Sequence, residues 1–146
     1  MTDFKIREAK MDDLNKIKIL LDDSSLPSVD IENHILNFLV LETPAKLIGT
    51  VGMECFGDTA LLRSLAIQKD FRNNGYGKEL CYALLSKVKK MNISSIYLLT
   101  ETAERFFSQE GFKKIARENV PLSIKQTQEY SSLCPESAIC MVKSLN

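Results

Sequence analysis

Apolar residues recur along this chain with two different periods, and the switching between them lays out its elements. Phe4-Lys5-Ile6-Arg7 alternates as a half-buried strand does, and from Asp12 the set Leu14, Ile17, Leu20, Leu21 follows helical spacing. Ser24-Ser25-Leu26-Pro27-Ser28 reads as a loop, Asp30 as a cap, and 31–37 as a short second helix ending before the β-rich Phe38-Leu39-Val40-Leu41. Pro44 and Ala45 mark a hairpin turn into a strand over 46–56, and Gly57-Asp58 marks another into a strand over 61–67. From Gly75 the positions Leu80, Ala83, Leu84, Val88 and Met91 describe a long amphipathic helix. A strand is expected over 93–99, then a helix over 101–110 closed by Gly111, a residue suited to the left-handed position after a helix. The last two strands are expected over 112–116 and 138–145, separated by a polar stretch containing Pro121 and Pro135. A strand-helix opening, an antiparallel meander and then β-α-β-α-β-β indicate an α/β (α+β) chain, a mixed sheet with helices on both faces.

At 146 residues the chain has room for one domain and not two. Its 45% hydrophobic and 26% charged composition excludes intrinsic disorder. Lys+Arg and Asp+Glu both number 19, so neither nucleic acid nor an anionic membrane is expected to be held by overall charge. No run approaches the ~18 apolar residues of a membrane span, and the N-terminal Met-Thr-Asp-Phe-Lys-Ile-Arg is charged where a signal peptide is apolar, so a cytoplasmic protein is expected. Cys55, Cys81, Cys134 and Cys140 contain no C-x-x-C pair and His34 is the only histidine, so no metal site is expected and the thiols read as unpaired and buried. His34, beside Ile35 and Leu36, reads as structural.

The chemically informative stretch runs from Leu65-Ala66-Ile67 through Arg72-Asn73-Asn74-Gly75-Tyr76-Gly77-Lys78: an apolar strand, a short loop, then Gly-x-Gly opening a helix. Glycines there let the backbone approach a ligand closely, and the amides at the helix start offer donors and partial positive charge to phosphate. It reads as a pyrophosphate cradle. It is not a Walker loop, because Glu79 follows Gly77-Lys78 and position 72 is Arg, and it lies too late in a meander to be a dinucleotide fingerprint.

Arg72-x-x-Gly75-x-Gly77 after an apolar strand resembles the acyl-CoA motif of the GNAT N-acetyltransferase superfamily, and Ala103-Glu104-Arg105-Phe106-Phe107-Ser108-Gln109-Glu110-Gly111-Phe112 resembles that family's A-x-x-L-Y-x-x-x-G-F pattern. The order of elements agrees, so the resemblance covers nearly the whole chain. It implies a GNAT fold of six to seven mostly antiparallel strands, a single domain over 1–146, acetyl-CoA as co-substrate and no metal. By that resemblance the amides of Leu65, Ala66 and Ile67 bind the pantetheine arm and polarise the thioester carbonyl, while Arg72, Asn73, Asn74, Gly75, Tyr76, Gly77 and Lys78 bind the pyrophosphate. Thr100 occupies a place where the family often has an asparagine on the CoA arm. Phe107 stands where a tyrosine commonly protonates the leaving thiolate, and a phenyl ring can donate nothing.

Attack of an amine on a thioester develops charge on the carbonyl oxygen, which fixed backbone donors stabilise. The amine must be neutral, and with a reference pKa of about 10.4 for a lysine-type amine and about 8 for an α-amino group, a base is needed more for the first. Glu54 is the candidate base and Asp58, in the adjoining turn, the second; the bland reading of each is a solvated or salt-bridged carboxylate. Tyr130 is the candidate to replace the missing acid, with Tyr76 and Cys134 behind it. Arg63, inside an apolar strand, needs a partner: either an acceptor carboxylate or an internal salt bridge to Glu54.

Residues 61–67 also resemble the L-R-S-L-A-V strand of amino-acid acetyltransferases such as the glutamate N-acetyltransferase group. Arg117, Val120-Pro121, Thr127-Gln128-Glu129-Tyr130 and Leu133-Cys134-Pro135-Glu136-Ser137-Ala138 resemble the tail of a GNAT subgroup encoded with arsenic-resistance genes, and the 26–30 loop fits it. Those resemblances imply a small amino-containing acceptor, an amino acid or an organoarsenical analogue, contacted by Leu26, Arg63 and Arg117. Two other functions stand beside this one: acetylation of a protein N-terminus or lysine, and a non-catalytic acyl-CoA-binding module, which Phe107 and Thr100 keep open. Homodimerisation through the last strands is common in the family and undecided by the sequence.

Overall fold

The first alternating residues do form a strand. In a computed structural model describing residues 3–133 and 137–145, β1 runs Lys5–Glu8 and is followed by a 3-10 turn, Met11–Asp13, and by α1, Leu14–Asp23. The inward face of α1 is Ile17, Leu20 and Leu21, as the spacing predicts. Strands β2 (Phe38–Glu42), β3 (Leu47–Phe56) and β4 (Thr59–Ile67) form the meander, and α2 (Tyr76–Lys90) buries Leu80, Cys81, Leu84 and Val88. Met91 lies past the end of α2 and is exposed. Then come β5 (Ser95–Thr100), α3 (Glu104–Gln109), β6 (Lys113–Ile115), α4 (Leu122–Lys125) and β7 (Ile139–Ser144). Gly111 takes φ +94° after α3, the left-handed value its position called for.

These strands make a seven-stranded mixed sheet in the order β1-β2-β3-β4-β5-β7-β6. The chain divides into two compact units, Met1–Met53 with Ser64–Lys87 and Glu54–Arg63 with Val88–Asn146. In the first, β1, β2 and β3 pair antiparallel, with Ile6 opposite Leu41 and Leu39 opposite Val51, over a core that includes Ile17, Leu21, Ile31, Phe38 and Val40. In the second, β4 pairs parallel with β5 over Thr59–Leu61, and β7 pairs antiparallel with both β5 and β6. Its core cluster is Leu61, Val120, Ile124 and Cys140, with Tyr97, Leu99 and Tyr130 packed against it.

Three expectations are corrected. Residues 31–37 form two separate 3-10 turns, Ile31–Asn33 and Ile35–Asn37, rather than a helix, and the Asp30 side chain caps nothing. Seven residues are too few to repay helix nucleation, and burial of Ile31 and Ile35 holds the turns instead. The stretch between β6 and β7, expected as polar connection, holds a 3-10 turn at Arg117–Asn119, α4 and a wide π turn at Glu129–Leu133. Buried Val120 and Ile124 anchor it. Among the thiols, Cys81 and Cys140 are buried, and burial pushes the Cys140 thiol up, but Cys55 is half-buried; Cys134 lies outside the described residues. No helix among the described residues is long and apolar enough to cross a membrane.

Arg7 ties the opening elements together. Its guanidinium donates to Asp13 at 2.8 and 3.0 Å and to Glu42 at 2.9 and 3.2 Å. These hydrogen bonds hold both carboxyls below the usual carboxylate range and raise the arginine itself. Carboxyls depressed in the folded state stabilise above their unfolded value of about 4, and the stabilisation is lost as pH falls through the folded values. Replacing Arg7 with Met should therefore lower stability at neutral pH and flatten its decline below pH ~4, measured by urea denaturation across pH. At the β2–β3 pair, Gly52 faces the fully buried Phe38 ring, and a Cβ there would run into that ring. Gly52→Ala should cost about 1–3 kcal/mol, seen as a lower urea midpoint at unchanged slope.

Candidate active site

Strand β4 carries one residue in an unusual backbone conformation. Ser64 sits at φ +62° in mid-strand, a left-handed conformation that costs a non-glycine residue free energy and persists only where its surroundings enforce it. Such an interruption re-aims the backbone that follows, here Leu65, Ala66 and Ile67, the residues expected to face the pantetheine arm.

Beyond β4, a 3-10 turn at Lys69–Phe71 leads into the glycine loop. Arg72 folds back on it: Nε donates to the Ile67 carbonyl at 2.9 Å and a terminal nitrogen lies 3.4 Å from Ser24 Oγ. Asn74 Nδ2 donates to the carbonyls of Phe71 and Arg72, both at 3.1 Å. Asn73 and Gly75 take φ +66° and +82°, turning the chain into α2. The first intrahelical bond runs from the Glu79 amide to the Gly75 carbonyl, so the amides of Tyr76, Gly77 and Lys78 precede it without intrahelical acceptors. They form, with the positive end of a fifteen-residue helix, the donor set a pyrophosphate needs. The side chains of Arg72 and Asn74 brace this loop through those hydrogen bonds, and Tyr76 packs edge-on against Phe4 at 5.4 Å. Beside the loop lies a cleft of about 660 Å³ in which Lys16, Lys46, Lys69 and Arg72 outnumber Asp23 and Asp70. That balance favours an anionic occupant.

The second unit holds the charged cluster. Arg63 is fully buried, with a terminal nitrogen 2.9 Å from Glu54 Oε2 and Nε 3.5 Å from Glu129 Oε1. Both carboxylates are buried too. The internal salt bridge weighed from the sequence is therefore present, joined by a second carboxylate from the tail. Glu129 was not singled out in advance; the signal for it is that one partner rarely satisfies an arginine wholly inside a strand. Asp58 is an exposed turn residue whose carbonyl accepts from the Ser94 amide at 2.8 Å. Glu54 alone of the two base candidates is part of the buried cluster.

The remaining expected residues are placed as follows. Thr100 Oγ1 accepts from the Ala103 amide at 3.0 Å at the start of α3. Phe107 is buried, edge-on to Phe106 and Phe112 at 5.1 and 5.6 Å. Tyr130 packs against the core cluster, and its ring carries the Arg117 guanidinium at 4.6 Å. Leu26 is partly buried against the core of the first unit, and the bulk of it serves packing. Cys134, Pro135 and Glu136 of the tail pattern lie outside the described residues.

Residues 34–114, more than half of the chain, match the Acetyltransferase (GNAT) domain family, and the chain belongs to that family. Its fold is similar to that of N-acetylglutamate synthase from Neisseria gonorrhoeae in complex with coenzyme A and N-acetyl-glutamate, with a TM-score of 0.86 and 22% identity over 100% of this chain and 36% of that one. An amino-acid acetyltransferase of Neisseria meningitidis is 27% identical over 93 residues, 62% of this chain and 21% of its own length. An uncharacterized N-acetyltransferase of Chlorobaculum tepidum is 29% identical over 121 residues, 80% of this chain and 76% of its own. The chain thus spans about a fifth of the Neisseria meningitidis relative.

A Cβ on Gly75 would meet nothing within 4 Å, so the demand for glycine there is its φ of +82° and not crowding. Gly75→Val should weaken acetyl-CoA binding at least about tenfold in calorimetry, whereas Gly75→Asn, which tolerates the left-handed region, should keep most of the affinity. Equal affinities for the valine variant and the parent would remove Gly75 from the cradle.

Proposed function

We propose that this chain is an N-acetyltransferase that moves the acetyl group of acetyl-CoA to the primary amine of a small molecule, an amino acid or an amino-acid analogue. The observation that carries the transfer is the run from the Ser64 kink through Leu65–Ile67 to the open amides of Tyr76, Gly77 and Lys78. It offers donors for a thioester carbonyl and a pyrophosphate in one continuous stretch. The amino-acid class is supported by the relatives named above, and its finer form, an organoarsenical amino-acid analogue, by the tail pattern alone.

Acetyl-CoA supplies an activated acyl carbon. In the proposed mechanism the acceptor nitrogen attacks that carbon directly, the carbonyl π electrons move to an oxyanion held by the amides of Leu65–Ile67, and collapse of that intermediate breaks the C–S bond. Glu54 removes the ammonium proton before attack, through water where needed, and the second nitrogen proton, lost as the amide forms, passes through water to the phenolate left on Tyr130. Tyr130 returns a proton to the leaving thiolate from its phenolic hydroxyl. Phe107 is an apolar wall with nothing to donate. Thr100 accepts one hydrogen bond and keeps its own proton to give to the CoA arm. Arg117 is the acceptor contact of this scheme, Arg63 being paired with Glu54 and Glu129, and the proposal is for a cytoplasmic enzyme with no nucleic-acid or membrane partner.

Incubating the purified protein with acetyl-CoA and a mixture of amino acids, polyamines, amino-acid analogues and short peptides should give an acetylated amino acid or analogue by mass spectrometry. Acetyl-CoA binding with no product from any amine would favour a non-catalytic module. Glu54→Gln should lower turnover about 10²–10⁴-fold, more at pH 7 than at pH 9, because a larger share of the amine is already neutral at the higher pH. Equal loss at both would assign Glu54 a structural role.

A further inference from the structure

Arg63 and Arg117 both have the chemistry to read an acidic group on the acceptor, and their surroundings separate them. The Arg63 side chain is 0% exposed, and two of its partners, Glu54 and Glu129, are 7% and 4% exposed. One guanidinium faces two carboxylates, so these three side chains carry a formal charge of −1. An acceptor carboxylate brought to Arg63 would enter an excess of negative charge in a poorly solvated place, and would push Glu54 or Glu129 off its counter-ion. The same excess attracts an ammonium.

Arg117 is built differently. It is half-buried, its guanidinium lies 4.6 Å over the Tyr130 ring, and one terminal nitrogen donates to the Ala138 carbonyl at 2.9 Å. No carboxylate among the described residues pairs with it. The aromatic stack and the carbonyl bond fix the plane of the guanidinium while its other N–H donors are uncommitted to any acid among the described residues. A guanidinium so held suits a planar carboxylate or a comparable oxyanion. Glu129 and Tyr130 are consecutive in the π turn Glu129–Leu133, so one piece of backbone both neutralises Arg63 and supplies the platform under Arg117.

We propose that Arg117, and not Arg63, selects acidic acceptors by docking their carboxylate or an equivalent oxyanion, while Glu129 acts as a positioning residue that keeps Arg63 an internal counter-ion of Glu54. This rests on the acetyl-transfer function proposed above, and it names the acceptor as a molecule with an amine at one end and an acid group at the other.

The test compares kcat/KM for an amino acid found to be acetylated with that for its carboxamide, its decarboxylated amine and its phosphinate analogue. The parent enzyme should prefer the acids. In Arg117→Ala the acid-to-amide ratio should fall at least tenfold, chiefly through KM of the acid, and Arg117→Lys should restore part of it. The phosphinate should lose as much as the carboxylate, since both offer oxyanions. Arg63→Lys should lower kcat for acid and amide alike and leave their ratio within twofold; should that variant not fold, the Arg117 pair still decides. A ratio unmoved in Arg117→Ala, a ratio that collapses in Arg63→Lys, or a parent enzyme that treats acid and amide equally would overturn the assignment while leaving the transferase intact. Failure of the parent to acetylate any amine would overturn the transferase and this assignment together.

Discussion

A guanidinium with no exposed surface cannot stay charged inside a strand unless the chain brings acids to it, and Arg63 on β4 imposes that demand. Glu54 answers from β3 and Glu129 from the π turn far along the chain. Removing one partner of such a buried set typically costs about 3–5 kcal/mol, because it strands the remaining charge. The demand therefore fixes where the tail segment must lie as well as the setting of the carboxylate best placed to act as base. Ser64, the next residue, is held left-handed beside it, and the backbone expected to meet the thioester begins one position later.

The cradle at the start of α2 obeys a separate economy of donors. Asn74 donates to the loop carbonyls of Phe71 and Arg72, and Arg72 donates to the carbonyl of Ile67 at the end of β4, satisfying acceptors that a tight turn would otherwise leave exposed. The backbone amides of Tyr76, Gly77 and Lys78 have no intrahelical acceptors and are open to a phosphate. Arg72 also clasps the end of β4 to this loop through its Nε.

Strand and helix placement was legible wherever one residue's burial sets a period. The α1 stripe, the three meander strands, α2 and the Gly111 stop all follow from local spacing, since each element has one apolar face and a turn residue at its end. Residues 31–37 misled because Ile31 and Ile35 satisfy helical spacing by being buried separately, in turns too short to be a helix. The 117–133 stretch misled in the other direction: its buried aliphatic residues Val120 and Ile124 are anchors to a distant cluster with Leu61 and Cys140, and no local period announces them.

What the amino-acid order determined by itself was the local chemistry: the Gly75-x-Gly77 junction, the run of strands and helices, the family pattern around Phe107, and the oddity of a charged residue at position 63. Those features depend on neighbours a few residues away, so a linear reading reaches them. Only the tertiary structure decided that β7 enters between β5 and β6, that Ser64 turns left-handed, that Glu129 reaches Arg63, and that Arg117 rests on Tyr130. Each of these is a choice among partners far apart in the chain, settled by burial and charge balance at the point of contact, where sequence distance carries no energy.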